Sequence, residues 1–265
     1  MIYQDDRYIK FQADHEKAEI IQAGGMPLLL KDGRAFTSNN SYGGPLDEDF
    51  SYEQFIQDLK QVGANRYLIR FAPWLGNHQY FPADKVKYSR QTVARELLHP
   101  IKFGHGTRSS ATKNIKSGCQ YVHASGESTL FNDVVLFHEL YNATMERNRS
   151  EKCYRYNVDY FDDLFENLSH NSDLFIIDKY GEWIAAAIFV FDDDTAHYLF
   201  SGSNIAYSNL YPMERLISEA CYYYQRQGKC LIHFGGGLRD GDSLFAFKKK
   251  FGNMVLPYYI AEGEV

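Results

Sequence analysis

Between Cys230 and Gly252 the chain reads CLIHFGGGLRDGDSLFAFKKKFG, and its glycines and lysines are spaced as a site would need them. A short apolar strand candidate, Cys230 to Phe234, runs into Gly235, Gly236 and Gly237, which remove side chains where the backbone must bend or approach another group closely. A helix follows in which Ser243 can serve as cap, Leu244, Phe247, Lys248 and Phe251 recur at three- and four-residue spacing, and Gly252 is the stop. Lys248 lies on the edge of that apolar stripe, whereas Lys249 and Lys250 turn further round toward water. An ammonium on such an edge, above a floor of glycines, can neutralise phosphate or a developing oxyanion. The same lysines also suit a plain helix end, where they oppose the macrodipole.

A second basic group lies upstream. Ser109 to Ser117 reads as a short helix stopped by Gly118, and at about 100° per residue His105, Arg108, Lys113 and Lys116 fall within an arc of roughly 140° if the helix begins early. No Asp or Glu occurs between Glu96 and Glu127. This face is either a solvated one or an anion site for phosphate groups. Other chemistries find no support. There is no GxxxxGK[ST] phosphate loop and no GxGxxG fingerprint. The four cysteines lack CxxC spacing and the nine histidines lack HxxxH, so neither a metal site nor a disulfide framework is expected.

The elements that must hold these groups recur in one order. Pro27 to Leu30 and Ala35 to Ser38 read as a hairpin around Lys31-Asp32-Gly33-Arg34. Next comes the bend Gly43-Gly44-Pro45 beside Tyr42. A helix opened by Ser51 runs through Phe55, Leu59 and Val62, and Arg66 to Phe71 is a strand. The second half repeats it. Asp173 to Val190 is a hairpin around Lys179-Tyr180-Gly181-Glu182, Ala196 to Phe200 a third strand, Pro212 the first residue of a helix to about Gln227, and Cys230 to Phe234 the next strand. Two separate sheets of similar topology are expected, over Pro27 to Phe71 and Asp173 to Phe234. Between them, Thr129 to Asn148 and Val158 to Leu168 carry helical apolar stripes, with His138 beside the first as a satisfied, half-buried histidine.

At 265 residues the chain has room for one large domain or two lobes. Its 45% hydrophobic and 23% charged content is that of a soluble globular protein, and a net charge of -6 argues against coating nucleic acid by bulk electrostatics. Tyrosine and phenylalanine, 21 and 19 of them, should dominate the core and any cleft. The N-terminus MIYQDDRYIKFQ has no apolar signal core and the longest apolar run, Trp183 to Phe191, is too short to span a bilayer, so a cytoplasmic location with reduced thiols is expected.

Taken together, YGGP (Tyr42 to Pro45), RSSATKNIKSG (Arg108 to Gly118), LYNATMERN (Leu140 to Asn148), the Tyr160, Phe161 and Leu164 positions, HYLFSGSNIAYSNLYP (His197 to Pro212) and GGG with DSLFAFKKKFG (Gly235 to Gly252) resemble the FemAB-type acyltransferases. These are bacterial relatives of the GNAT N-acyltransferases that include peptidoglycan-bridge aminoacyltransferases and acyl-CoA-using members associated with polysaccharide genes. The resemblance implies an α/β (α+β) fold of two tandem GNAT-like lobes, residues 1–120 and 121–265, each a mixed, mostly antiparallel sheet flanked by helices, with most of the reaction cleft on the second.

It also implies transfer of an acyl group to an amine. A backbone N–H at Ser201 or Gly202 would polarise the donor carbonyl, and Tyr207 or Tyr211 would return a proton to the leaving group. The family lysine falls on Lys248. Arg147 falls on a family arginine that contacts phosphate, joining Arg108, Lys113 and Lys116, and Tyr42, Gly235 to Gly237 and Phe247 complete the substrate-binding set. No permanent cofactor or metal is implied. The donor is an acyl thioester such as acyl-CoA and the acceptor a sugar-phosphate, nucleotide sugar or similar amine. Alternatives are an aminoacyl-tRNA donor, as in peptidoglycan-bridge enzymes, and a non-catalytic glycan-binding module. Three departures bear on these: Ala72 replaces an acidic residue of some bridge-forming members, the long coiled-coil arm of some tRNA-using members is not present, and the GNAT pyrophosphate loop is missing between Gly202 and Pro212.

Overall fold

The computed structural model describes residues 1–265, and its first α-helix is α1 (Asp6–Glu16). The Asp5 carboxylate caps it by accepting the Arg7 N–H at 3.0 Å, and it buries Tyr8 and Phe11. Strands β1 (Glu19–Ala23), β2 (Met26–Lys31) and β3 (Arg34–Phe36) follow. The β2–β3 turn has Asp32 at φ 50° and Gly33 at φ 71°, the two positive angles that let a two-residue hairpin follow the strand twist. Ser51 caps α2 (Tyr52–Gln61) by accepting the Gln54 N–H at 3.2 Å, and Phe55 and Leu59 face inward before β4 (Arg66–Arg70). Strand β5 (Val86–Glu96) was not expected. Its first half is half-buried to exposed and mostly polar while Thr92 to Arg95 are buried, so no single period runs through it.

Helix α3 (His105–Lys116) starts four residues earlier than Ser109, and β6 (Gln120–Ser125) leads into α4 (Phe131–Arg147) and α5 (Val158–Asn167). Strands β7 (Ser172–Lys179) and β8 (Glu182–Phe191) turn at Tyr180, φ 58°, and Gly181, φ 86°, which repeats the first hairpin's geometry. Strand β9 (Thr195–Ser203), α6 (Pro212–Arg226), β10 (Leu231–Gly236), α7 (Ser243–Lys249) and β11 (Met254–Glu264) complete the chain. The His138 Nε2–H donates to the Tyr156 carbonyl at 3.2 Å, as a half-buried structural histidine.

The eleven strands take the order β1-β2-β3-β4-β11-β5-β10-β9-β8-β7-β6 in one open mixed sheet. The two separate sheets expected from sequence are thus corrected, because the unforeseen β5 and β11 stand between β4 and β10. The repeated order itself holds. In each half a hairpin and third strand are antiparallel and the strand after the helix is parallel to the third, β4 to β3 and β10 to β9. By contact density the chain forms two units, Met1–Thr92 with Gly236–Phe245 and Val255–Val265, and Val93–Gly235 with Ala246–Met254. In the second unit Phe200 packs on Tyr141 and Phe161 of α4 and α5, while Phe175 and Phe189 pack on Tyr224 of α6, so helices cover both faces of β7 to β9.

The segment before α7 is clamped by Asp242. Its Oδ2 accepts the Leu238 and Arg239 N–H groups at 2.7 and 3.0 Å, and its Oδ1 accepts the Phe245 N–H at 2.7 Å, so Asp242 rather than Ser243 is the cap. Phe245, whose amide the cap takes, turns inward at 7% exposure, and Leu244 faces out at 42%; the inward stripe is therefore Phe245 and Phe251 instead of Leu244, Phe247 and Phe251. Burial alone would raise the Asp242 carboxyl, but the amides of Phe245, Arg239, Leu238 and Leu244 together hold it below its ordinary range. A depressed carboxyl stabilises the fold above its unfolded value of about 4 and loses that contribution as pH falls through the folded value. Asp242→Ala should cost about 0.5–2 kcal/mol in denaturant melts at neutral pH, with the gap to the parent closing below about pH 4. A gap that does not change with pH would show that the carboxylate is not the clamp.

Candidate active site

The parallel pairing of β9 with β10 covers only Thr195, Ala196 and His197 against Leu231, Ile232 and His233. Beyond that rung β9 continues through Ser203 without pairing to β10, which leaves a strand edge for a ligand's polar groups. A bulge bends it further. Ile188 faces Phe200 and Phe189 faces Tyr198, so Leu199 is the extra residue. The Asn204 N–H donates to the Ile184 carbonyl of β8 at 2.9 Å, and the Ser203 N–H donates away from β8 to Thr144 Oγ1 at 3.0 Å. Alternation then directs the Ser201 N–H to the open edge and the Gly202 N–H into the β8 ladder. Of the two candidate amides, Ser201 is the one so exposed.

Side chains gather around this edge. The Tyr198 hydroxyl donates to Ser201 Oγ at 2.5 Å, and burial pushes its pKa up to about 12 despite that bond. Lys248 Nζ lies 5.7 Å from the Tyr198 ring centroid, within cation–π range, and is half-buried, while Lys249 is exposed and Lys250 turns back to Glu214 at 3.3 Å. His197 and His233, both 1% exposed, form the last paired rung with ring centroids 6.0 Å apart. Burial pushes His197 down to about 3; burial, then His197 and the Lys248 charge, hold His233 well below its ordinary range, so both rings are neutral at pH 7. Tyr198, His197 and His233 were not anticipated from sequence. Their signal is that both strands carry histidine followed by an aromatic residue shortly before glycine, HYLFSG and HFGGG.

The two candidate proton donors are held by different partners. The Tyr207 hydroxyl donates to Glu182 Oε2 at 2.6 Å, and that bond raises its pKa. Tyr211 is the N-cap of α6, in the left-handed region at φ 54°, ψ 47°, a conformation that costs an L-residue roughly 1–2 kcal/mol. Lys113 Nζ lies 5.0 Å from its ring centroid. His105, Arg108, Lys113 and Lys116 line one depression on α3 with Ser109 and Thr112, about 500 Å³ in volume, so the early start of the helix brings the basic face together. Arg147 is elsewhere. Its Nη1 donates to the Ser203 carbonyl at 3.1 Å, and it lines a second cavity of about 610 Å³ with Leu140, Trp183 and Ile205.

The three glycines have backbone reasons. Gly235 is at φ 72°; a Cβ on Gly236 would lie 2.6 Å from the Gln91 carbonyl oxygen, and one on Gly237 would lie 1.9 Å from Asp242 Oδ1. Protein atoms therefore occupy the space beside Gly236 and Gly237. Phe247 packs on Phe251 at 5.2 Å, under Lys250. Tyr42 stands in the first unit among Tyr3, Trp74 and Tyr258, with centroids 5.4–5.6 Å away, and burial raises its pKa well above the ordinary value. The YGGP bend beside it is braced by buried Asn77, whose Nδ2 donates to the Gly43 and Pro45 carbonyls at 2.9 and 3.0 Å.

Residues 109–249 match the family model described as an acetyltransferase (GNAT) domain. The fold is similar to that of FemX, with a TM-score of 0.74 at 13% identity over 98% of this chain and 92% of that one. It is also similar to the C-terminal domain of a putative lysylphosphatidylglycerol synthetase from Agrobacterium fabrum, TM-score 0.67 at 16% identity over 98% and 88%. A tandem GNAT protein from the clavulanic acid biosynthesis pathway gives a TM-score of 0.51 at 9% identity over 99% and 96%. No curated protein sequence matches the chain. No helix is long and apolar enough to cross a membrane.

Proposed function

This chain belongs to the acetyltransferase (GNAT) domain family and is an acyltransferase, and from that premise we propose that it moves an acyl group from a thioester donor of the acyl-CoA kind to the amine of a phosphate-bearing sugar, nucleotide sugar or similar small acceptor. The observation that carries this reading is the parting of β9 from β10 after His197 and His233, which leaves the Ser201 N–H on an open edge of the strand whose Tyr198 ring lies 5.7 Å from Lys248 Nζ. The neutral amine attacks the donor carbonyl and forms the C–N bond. The Ser201 N–H and the Lys248 ammonium stabilise the oxyanion, and its collapse breaks the carbon–sulfur bond. The leaving thiolate takes its proton from Tyr211, and the amine's surplus proton passes to water, from which Tyr211 is reprotonated. Tyr211 is preferred to Tyr207, whose hydroxyl is already committed to a carboxylate. Membership of an enzyme family sets aside the glycan-binding module.

A second reading, an aminoacyl-tRNA donor, is favoured by what lies between β9 and α6. The turn Ile205–Leu210 uses its own amides: the Ala206 and Tyr207 N–H groups donate to Asn204 at 3.0 and 3.2 Å, and the Tyr211 N–H donates to the Ser208 carbonyl at 3.1 Å. Few are left to cradle a pyrophosphate. The basic face of α3, by contrast, extends over about 18 Å, the length of its 12 residues and more than one pyrophosphate needs.

The protein supplied with short and medium-chain acyl-CoAs or with total aminoacyl-tRNA, against glucosamine 1-phosphate and UDP-linked amino sugars, should yield an acylated amine by mass spectrometry. If tRNA is the donor, its KM should climb steeply between about 50 and about 200 mM salt, and Arg108, Lys113 and Lys116 changed together to Ala should raise KM and flatten that slope. With acyl-CoA the slope should be shallow. Acyl transfer from neither donor would overturn both readings.

A further inference from the structure

The segment entering α6 is held by α3 in a way that packing does not explain. Asn114 is fully buried, and its Nδ2 donates to the Leu210 carbonyl at 2.9 Å, while its Oδ1 has no hydrogen-bond partner. An apolar residue of the same shape would avoid burying that oxygen, so the feature gained by an asparagine is the single donor to Leu210. Leu210 immediately precedes Tyr211, whose left-handed backbone is unusual twice over, being a non-glycine residue and standing before Pro212, which disfavours helical angles at the residue ahead of it. Lys113, the neighbour of Asn114, lies over the Tyr211 ring and also lines the basic depression.

We infer that Asn114 is a positioning residue for the acyl transfer: through the Leu210 carbonyl it fixes the backbone that aims the Tyr211 hydroxyl, and with Lys113 it ties that hydroxyl to the turn of α3 that meets the donor's phosphates. The inference rests on the reading of Tyr211 as the proton donor. Asn114 is buried and touches no solute, so it acts on the rate through Tyr211 and leaves the donor's affinity to the exposed basic residues.

The test is a double-mutant cycle of Asn114→Leu with Tyr211→Phe, assayed with acetyl-CoA and glucosamine 1-phosphate, or with total aminoacyl-tRNA if that is the donor turned over. Asn114→Leu should lower kcat about ten- to a hundredfold, as misplacement of a reacting group by up to about 1 Å does, with the donor KM within about twofold. In the Tyr211→Phe background the same change should lower kcat less than about twofold further. Its melting temperature should stay close to the parent's, because the lost hydrogen bond is offset by removal of the unpaired oxygen. If Asn114→Leu does not fold, Asn114→Ala is read in the same cycle. A full effect of Asn114→Leu on top of Tyr211→Phe, or a raised KM with unchanged kcat, overturns the positioning role while Tyr211 stands. An unchanged kcat in Tyr211→Phe alone removes the proton donor and the inference with it.

Discussion

Lys248→Ala is expected to lose on the order of 100-fold or more in turnover while its melting temperature stays within a few degrees of the parent's, and Lys249→Ala to do little to either. The two lysines are adjacent in α7 and differ in what they face. Lys248 is half-buried over the Tyr198 ring, near enough to His233 for its charge to depress that ring's pKa, whereas Lys249 is exposed. The neighbouring histidines are neutral at pH 7, so neither shares the positive charge that the Lys248 ammonium brings to them. Removing it takes away charge stabilisation that neither histidine replaces. Burial, the first cause of the low His233 value, persists in the variant, so His233 stays neutral and does not substitute. Lys248→Arg keeps the charge but not the point geometry, and should recover only part of the rate. Equal, small effects at Lys248 and Lys249 would leave FKKKFG as a helix end opposing its dipole.

How much of this was legible beforehand depends on whether the signal is local. The two hairpins were, because each turn places residues at positive φ between alternating apolar runs, Asp32-Gly33 and Tyr180-Gly181. Helices α2 and α6 were, through Ser51 as cap and Pro212 as first residue. The basic face was too, since it needs only a helix that begins at His105. What depends on partners far along the chain was not. Strand β5 is polar for half its length and β11 carries Pro257 and Gly263, so neither reads as a strand alone, yet they decide that β4 and β10 belong to one sheet. The site divides in the same way. Lys248 could be placed at the edge of a helix from spacing, but its neighbours Tyr198 and His233 follow from where β9 and β10 cease to pair, which three rungs of register determine. Ser201 or Gly202 was expected to offer its amide to substrate, and the structure gives the glycine another reason to be there.

That reason leads to the largest expected effect on stability, from adding a single methyl group. A Cβ on Gly202 would lie 2.3 Å from the Leu140 carbonyl carbon, 2.4 Å from the Tyr141 nitrogen and 2.5 Å from the Leu140 oxygen. All three are backbone atoms of α4, so no side chain can swing aside. Gly202→Ala therefore forces α4 to retreat from β9 by about 1 Å to reach van der Waals distance. The retreat loosens Tyr141 and Phe137 against Phe161 and Phe200, the aromatic cluster that holds α4 and α5 to the sheet. Overpacking of this kind costs typically 1–3 kcal/mol, and with rigid backbone on both sides the upper value of about 3 kcal/mol applies. For a chain of this length that is a fall of roughly 6–12 °C in Tm. Gly106→Ala is the matched control, since nothing lies within 4 Å of its Cβ and it sits inside α3, where alanine should add up to about 1 kcal/mol. Thermal melts of the two variants should move in opposite directions. A Gly202→Ala protein that melts with the parent would mean that α4 does not press on β9 as closely as the Leu140 and Tyr141 backbone distances require.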